Sequence, residues 1–587
     1  MIDPRIYRLA FAPALIALIV LMFSVESIPA PVQAPETFAA DFDGRRAAAN
    51  ARRIVQLAPE RTPGSTDDEA VADLLAERFG EISAGKVSEQ EFEADFDGEA
   101  VDLRNVVLTL PGNSARTVIV IAERDTARGS GAASSAAANG LLLEMAAKLG
   151  QTRHEKTIVL VSADGGSEGA SGVREFIDSY PTLDQVDGVV VVSRPGAAKP
   201  KPPHLPAWSV GAQSTSAQLV ESASLALSEE TELQPGLGGF LGGVFRLAIP
   251  AGAGAEAVAI SENLDAIAIS GAGEGALEPD DDNVASLSDD SMGEFGNAAL
   301  ALVLALDAAD AELVHGPDTY LELAGNLIPG WALGLLALTL LLPGVVVSID
   351  GIARASRRRE PALGSLLWAV SRAVPFVAAL LLLYALALVG IAPDPSFPFD
   401  PGYYGFGWRG AGVFAATLGV FALLAVLLRP LTVPPRPARE TLATALGVVA
   451  SLAVLGIWLI NPYLALLCVP LAHVWILGAR PATAASIAGT LAGIAVALIP
   501  LAGALVHLAG RLDLGVEAPW TVVLMVTGGQ IGFLEAFLGC LIAGSVLGLL
   551  ALAVPRRSDR RARGSAVMPS PITDRGSRAN GFGDSVR

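Results

Sequence analysis

The chain has 587 residues, of which 52% are apolar and 17% charged, with a formal net charge of −20 and a mean hydropathy of +0.50. That balance excludes a single soluble globule, a collagen and a chain disordered throughout. A disulfide framework is excluded too, because Cys468 and Cys540 both lie in apolar runs, and the acidic excess, concentrated between residues 35 and 325, argues against a nucleic-acid partner.

The first apolar run, Leu9 to Phe23, follows Arg5 and Arg8 and precedes a small-residue stretch ending Val32-Gln33-Ala34. Residues 1–30 therefore read as an N-terminal transmembrane anchor or as a signal segment. Both readings put the N-terminus inside and the chain from residue 38 outside, because Lys and Arg are retained on the cytoplasmic side. Residues 38–322 carry an alternating pattern. Helical spacing covers 41–58 and 67–80, and Val106–Leu110, Thr117–Ala122, Thr157–Ser162 and Gly188–Val192 are short β-branched runs. The stretch Leu141–Leu149 predicts a helix between two of these strands, and Ser291 to Ala309 a closing helix. The fold class predicted is α/β, a mainly parallel sheet with helices on both faces, beside an all-α transmembrane bundle. In such sheets functional groups gather beyond the carboxyl ends of the strands.

From residue 326 to 555 seven apolar runs predict seven spans: 327–349, 365–391, 410–428, 441–460, 463–479, 483–508 and 525–554, the fifth short for a bilayer. Basic residues follow the first (Arg354, Arg357, Arg358, Arg359), third (Arg429, Arg436, Arg439), fifth (Arg480) and seventh (Arg556, Arg557, Arg560) runs, and the intervening links are acidic or nearly uncharged. That alternation predicts a multi-pass protein of the plasma membrane, both termini cytoplasmic and residues 38–322 extracytoplasmic. Residues 556–587 read as a basic, disordered cytoplasmic tail. Glu535, His473 and Arg372 are ionisable groups within the spans. Packing and interhelical hydrogen bonding are the plain reading of them, and a transport path the sharper one.

Three segments of the outer domain resemble metallopeptidase family 28, the di-zinc aminopeptidases, whose members also include glutaminyl cyclases. Arg104-Asn105-Val106 leading to Leu110-Pro111-Gly112 matches the family's opening strand and turn. Ala122-Glu123-Arg124-Asp125 stands where the family has Ala-His-x-Asp. Gly131 to Ala138, running into Leu142-Leu143-Glu144, stands where it has Gly-Ala-Asp-Asp-Asn-Ala-Ser-Gly, and Asp164-Gly165-Gly166-Ser167 where it has Asp-Gly-Glu-Glu. The resemblance implies that the first zinc-binding His falls at Glu123 and the bridging carboxylate at Ser134. The general-base Glu falls at Gly166, the adjacent ligand at Ser167 and the next Asp ligand at Ser193. No His lies between His204 and His315 to supply the last ligand. A zinc pair about 3.5–4 Å apart needs carboxylates and imidazoles, which Ser and Gly do not supply. The resemblance thus predicts a scaffold with no metal ligands, no catalytic residues and no cofactor. The layout is also similar to the Gaa-type subunit of GPI transamidase, which combines one N-terminal span, a domain of this family and several further spans.

Asp125 and Asp164 remain at strand ends, either as remnants of a binding pocket or as caps of turns and helix starts. Glu123 is a weak oxygen ligand or an ordinary surface acid. Gly165 to Gly169 is an anion cradle or an inherited tight turn. Ser134, Ser135 and Ser167 lack an obvious His base, and Glu278 to Asp282 reads as a solvated acidic loop rather than a calcium site. The leading expectation is a binding or assembly module that holds a peptide or protein partner in an external cleft, with the lipid bilayer as its other partner. The alternatives are a membrane-anchored zinc-dependent hydrolase with rearranged ligands (Glu123, Asp125, Asp164, Glu168), and a transporter with an accessory domain.

Overall fold

The computed structural model describes residues 4–35, 42–96, 99–126, 128–167, 169–203, 205, 211–236, 239–252, 254–310, 313–399, 403–428, 438–479 and 483–553. The strands are β1 (Glu26–Ser27), β2 (Lys86–Phe96), β3 (Glu99–Leu110), β4 (Thr117–Glu123), β5 (Thr157–Ala163), β6 (Val186–Ser193), β7 (Ala266–Ser270), β8 (Tyr320–Leu323) and β9 (Asn326–Pro329). Six of them form one sheet in the order β2-β3-β5-β4-β6-β7. The pairs β5–β4, β4–β6 and β6–β7 are parallel, and β2–β3 and β3–β5 antiparallel. The expected α/β fold with a mainly parallel core is present.

The sheet forms because its central strands are apolar on both faces. Val118, Val120, Leu160 and Val190 pack under the helices Gly44–Leu57, Ser135–Leu149 and Asp289–Ala308. Ile119, Ile121, Val159, Val161 and Val191 alternate with them and pack under Ser171–Ser179 and Ala255–Ser261. Each such side chain contributes about 1.5–3 kcal/mol on leaving water. Chain order places β5 and β6 on opposite sides of β4, so the chain switches direction there, and a crevice opens at the carboxyl ends of these three strands.

Two strands of this six-stranded sheet were not foreseen. β2 is an edge strand dense in Glu, which blunts sheet-to-sheet association and also hides its apolar row from a hydropathy reading. β7 is a five-residue run, Ala266–Ser270.

The apolar half forms helices at Gly330–Arg357, Ala362–Ser371, Val374–Leu388, Trp408–Leu427, Arg439–Ile460, Pro462–Gly478, Ala484–Arg511, Ala518–Thr527 and Phe533–Ala553. Among the described residues seven helices are long and apolar enough to cross a bilayer, one of them Arg5–Phe23 near the N-terminus. The chain is that of a membrane protein. Pro462–Gly478, at 17 residues, is shorter than these seven, in line with the short fifth run. One expectation needs correction. The run 525–554 is two helices, not one, and the break falls at Gly528-Gly529. A Cβ at Gly528 would meet the Pro395 carbonyl oxygen at 2.2 Å, and Gly529 takes φ +76°, so both positions need glycine. The basic links at Arg429, Arg436 and Arg480 and the tail 556–587 lie outside the described residues.

The N-terminal segment is built into this framework. Tyr7 Oη lies 3.1 Å from His473 Nδ1, and the Phe11 ring stacks on the same imidazole at 5.9 Å. Further along, β1 pairs with β9, Glu26 opposite Leu327. The short helix Gly239–Ala248 leaves the α/β part and packs Val244, Leu247 and Ala248 against Leu333, Tyr463, Leu467 and Ala504 of the bundle.

Candidate functional site

The crevice is built from the end of β4 outward. Glu123 closes that strand, and Arg124 N continues the ladder to the Ala163 carbonyl at 2.8 Å. The half-buried Glu123 side chain lies over Gly166: a Cβ added there would sit 2.6 Å from Glu123 Cδ. Glu123 therefore fills the space that a side chain at 166 would need. Asp125 turns under the same loop and accepts from Gly166 N at 2.6 Å and Ser167 N at 2.9 Å. Burial pushes its carboxyl above the ordinary range, against the pull of those hydrogen bonds.

Asp164, at the end of β5, accepts from Gly165 N at 2.7 Å and Arg104 N at 3.2 Å. It also faces Arg124 Nη2 at 3.3 Å. Arg124 is wholly buried and grips Asp68 through Nε at 3.0 Å and Nη2 at 2.5 Å. Burial, with Asp68 and Asp125 adding to it against the pull of Arg124, pushes Asp164 up to about 8. The turn-anchoring reading of Asp125 and Asp164 is thus what their hydrogen bonds describe.

The opposite wall starts at Ser134, which precedes the helix Ser135–Leu149. Its Oγ donates to Asp282 Oδ2 at 2.5 Å, and Asp282 Oδ1 accepts from Ala133 N at 2.8 Å and Ser134 N at 3.1 Å. Reading Asp282 as part of a solvated loop was wrong: it turns inward and is 6% exposed. Three convergent donors outweigh the cost of removing one carboxylate from water. Arg61 was also missed. It is wholly buried and donates to the carbonyls of Ala58, Arg124 and Ser130 and to Ser135 Oγ. An isolated Arg before a Thr-Pro-Gly turn gives no sign of this. His154 is buried and lies 3.2 Å from Asp307. Ser193, at the end of β6, accepts from Arg194 Nη1 at 3.1 Å.

Glu123, Asp125, Ser134, Gly166, Ser167 and Ser193 line one cavity of about 550 Å³. Sequence frames spread over 70 residues therefore converge on one place. Asp164 lies beneath it, and Glu168 lies outside the described residues. The remaining walls come from further afield: Glu274 and Asp282, then Phe399, Leu514 and Val516 from links between bundle helices.

The donors fit a two-zinc centre poorly. Ser134 Oγ and Asp282 are bonded to each other, both Asp125 oxygens take backbone amides, and Gly166 has no donor side chain. Among the described residues no group of three or more His, Cys, Asp or Glu is placed to hold a metal ion. Nor does any described His line the cavity as a base for a serine nucleophile. What remains is a concave surface of hydroxyls and partly engaged carboxylates, suited to hydrogen bonding with a polar guest.

No protein-family profile matches the chain, and no curated protein sequence does. Solved structures do. The glutaminyl cyclase of an Acidobacteriales bacterium shares 17% identity over 47% of this chain and 98% of its own, with a TM-score of 0.38. The glutaminyl cyclase of Porphyromonas gingivalis shares 19% over 45% and 98%, TM-score 0.33. The zinc aminopeptidase BSAP of Bacillus subtilis shares 12% over 45% and 95%, TM-score 0.37. Over somewhat less than half of its length, the chain is similar to glutaminyl cyclases and zinc aminopeptidases.

Proposed function

We propose that this chain is a multi-pass plasma-membrane protein whose external α/β domain works without zinc, as a binding or assembly module that receives a peptide or protein segment in the crevice. The observation carrying this reading is the fate of the positions at which the resemblance expects ligands and a base. Ser134 is spent on Asp282, and Glu123 fills the space over Gly166. A site closed by protein–protein bonds is a poor metal cage, yet Ser134 Oγ, which donates to Asp282, can still accept from a polar backbone, and Ser193 Oγ, which accepts from Arg194, can still donate to one. The similarity of layout to the Gaa-type subunit of GPI transamidase is in keeping with an assembly role.

The test uses full-length protein in lipid nanodiscs. Metal analysis should return well under one zinc per chain. Saturation-transfer NMR with the tripeptide Ala-Ala-Ala should show contact that Ser134→Trp, which fills the crevice, removes. About two zincs per chain together with aminopeptidase turnover would end this reading, and so would a tripeptide signal that Ser134→Trp leaves unchanged. A second reading, a hydrolase with rearranged ligands, is favoured by the presence of Glu123 and Asp282 in one cavity. It requires chelator-sensitive hydrolysis that Glu123→Gln abolishes.

A further inference from the structure

We infer that the crevice is a joint site of the α/β domain and the helical bundle, and that filling it alters the bundle. The guest is that of the peptide-binding reading, on which this inference rests for its ligand alone. Two features carry the inference, one on each side of the cavity.

The first is the Gly-rich turn itself. Its front is held by Asp125 through the amides of Gly166 and Ser167. Its back is held by the bundle: Gly169 N donates to the Pro398 carbonyl at 2.8 Å. Arg174 then bridges the two, Nε to the Gly169 carbonyl at 2.8 Å and Nη2 to the Phe397 carbonyl at 2.7 Å. Pro398 lies in the link between the helices Val374–Leu388 and Trp408–Leu427. A guest that presses on Glu123 or Ser167 therefore displaces a backbone that is bonded to that link.

The second is a buried charge triad. Glu274, in the cavity wall, pairs with both Arg246 and Arg511. Arg246 belongs to the helix inserted into the bundle, and Arg511 is the last residue of the helix Ala484–Arg511. Arg511 also donates to the Ala251 carbonyl at 2.6 Å, and the next links form cavity wall, with Asp513 paired to Lys201 at 2.6 Å. Separating a buried carboxylate from two guanidiniums costs far more than shifting the three together, so the wall and the helix end move as one. Coupling of this kind is reciprocal: what the crevice does to the bundle, the bundle does to the affinity of the crevice.

The experiment needs no ligand, because a side chain serves as the guest. Ser193→Trp fills the cavity from the sheet side and Leu514→Trp from the bundle side, and Val284→Trp, a surface position outside the cavity lining, is the control. Hydrogen exchange is followed in full-length protein in nanodiscs over residues 391–399 and 505–527. At least a fivefold change in exchange of these segments is expected for both cavity variants and none for the control. Exchange within twofold of wild type in both segments would overturn the inference. Protection of β4 and β5 reports whether Ser193→Trp remains folded; if it does not, Leu514→Trp decides, since Leu514 lies in a link outside the α/β domain and is only partly buried. Failure of tripeptide binding would sink the proposed function and leave this result standing.

Discussion

Replacing Arg124 by methionine keeps most of the side-chain volume and deletes the charge, and it should destabilise the α/β domain severely. The guanidinium is wholly buried among Asp68, Asp164 and the Arg104 carbonyl, which it meets at 2.7 Å. Breaking a buried pair by removing one partner costs about 3–5 kcal/mol, because the remaining charges are left uncompensated in a weakly polarisable interior. At about 1.4 kcal/mol per factor of ten, that is a loss of about two to four decades in the folding equilibrium. Native-state hydrogen exchange of the β4 and β5 amides reads that equilibrium directly, and protection should fall by 10² or more. Adding Asp68→Asn to the methionine variant should restore at least half of the loss, since the uncompensated Asp68 charge is then gone. A fall of less than tenfold, or no recovery in the double variant, would refute the reasoning and imply that water reaches the cluster.

Gly166→Ala should cost about 1–3 kcal/mol through overpacking against Glu123, and Glu123→Ala should relieve most of it. A double-mutant cycle with additive effects would show that the two positions do not share space. Stability should fall as pH rises from about 4 to about 8. Asp164 holds its proton up to about 8 in the fold against an ordinary 3.8, so its contribution is full below pH 4 and lost as pH passes 8. His154 acts in the same direction: burial opposes its charge, but Asp307 and the Leu149 carbonyl outweigh burial and raise it above 6.5, so its contribution is also lost on the alkaline side. Each group gives a slope of at most about 1.4 kcal/mol per pH unit, and Asp164→Asn should flatten the profile between about pH 4 and pH 8; a rise in stability over this range would contradict both assignments. Finally, the Tyr7–His473 contact and the β1–β9 pairing predict an uncleaved N-terminal segment. Intact-mass measurement of purified protein should retain it, and a mass lacking the residues before Pro35 would contradict this.

How far the site could be read from the sequence depends on the range of the forces involved. Val118 to Ile121 and Val159 to Val161 announce buried strands because both faces of a central strand must be apolar, and that requirement is written in consecutive residues. The six cavity positions could be placed by their motif frames because each sits at a strand end or a tight turn, where local chain geometry fixes the register. Arg61, Arg124, Asp282 and His154 gave no such sign. Asp68, Ser135, Ser134 and Asp307, the side-chain partners that draw them inward, lie between 56 and 153 positions away, and a charged residue reads as solvated until its counter-ion is known. The glycine pair Gly528-Gly529 marks a possible break in the last run by itself, but the Pro395 carbonyl that requires glycine there belongs to a distant link.

The amino-acid order alone settled the division of labour: an acidic α/β half, an apolar helical half, and hydroxyls and hydrogens where the resemblance expects imidazoles and carboxylates. Those are properties of neighbouring side chains and of composition, and they hold before the chain is folded. Only the tertiary structure decided which charges are buried together and that links between bundle helices wall the crevice. Such pairings depend on desolvation by residues hundreds of positions away, and no local pattern encodes that.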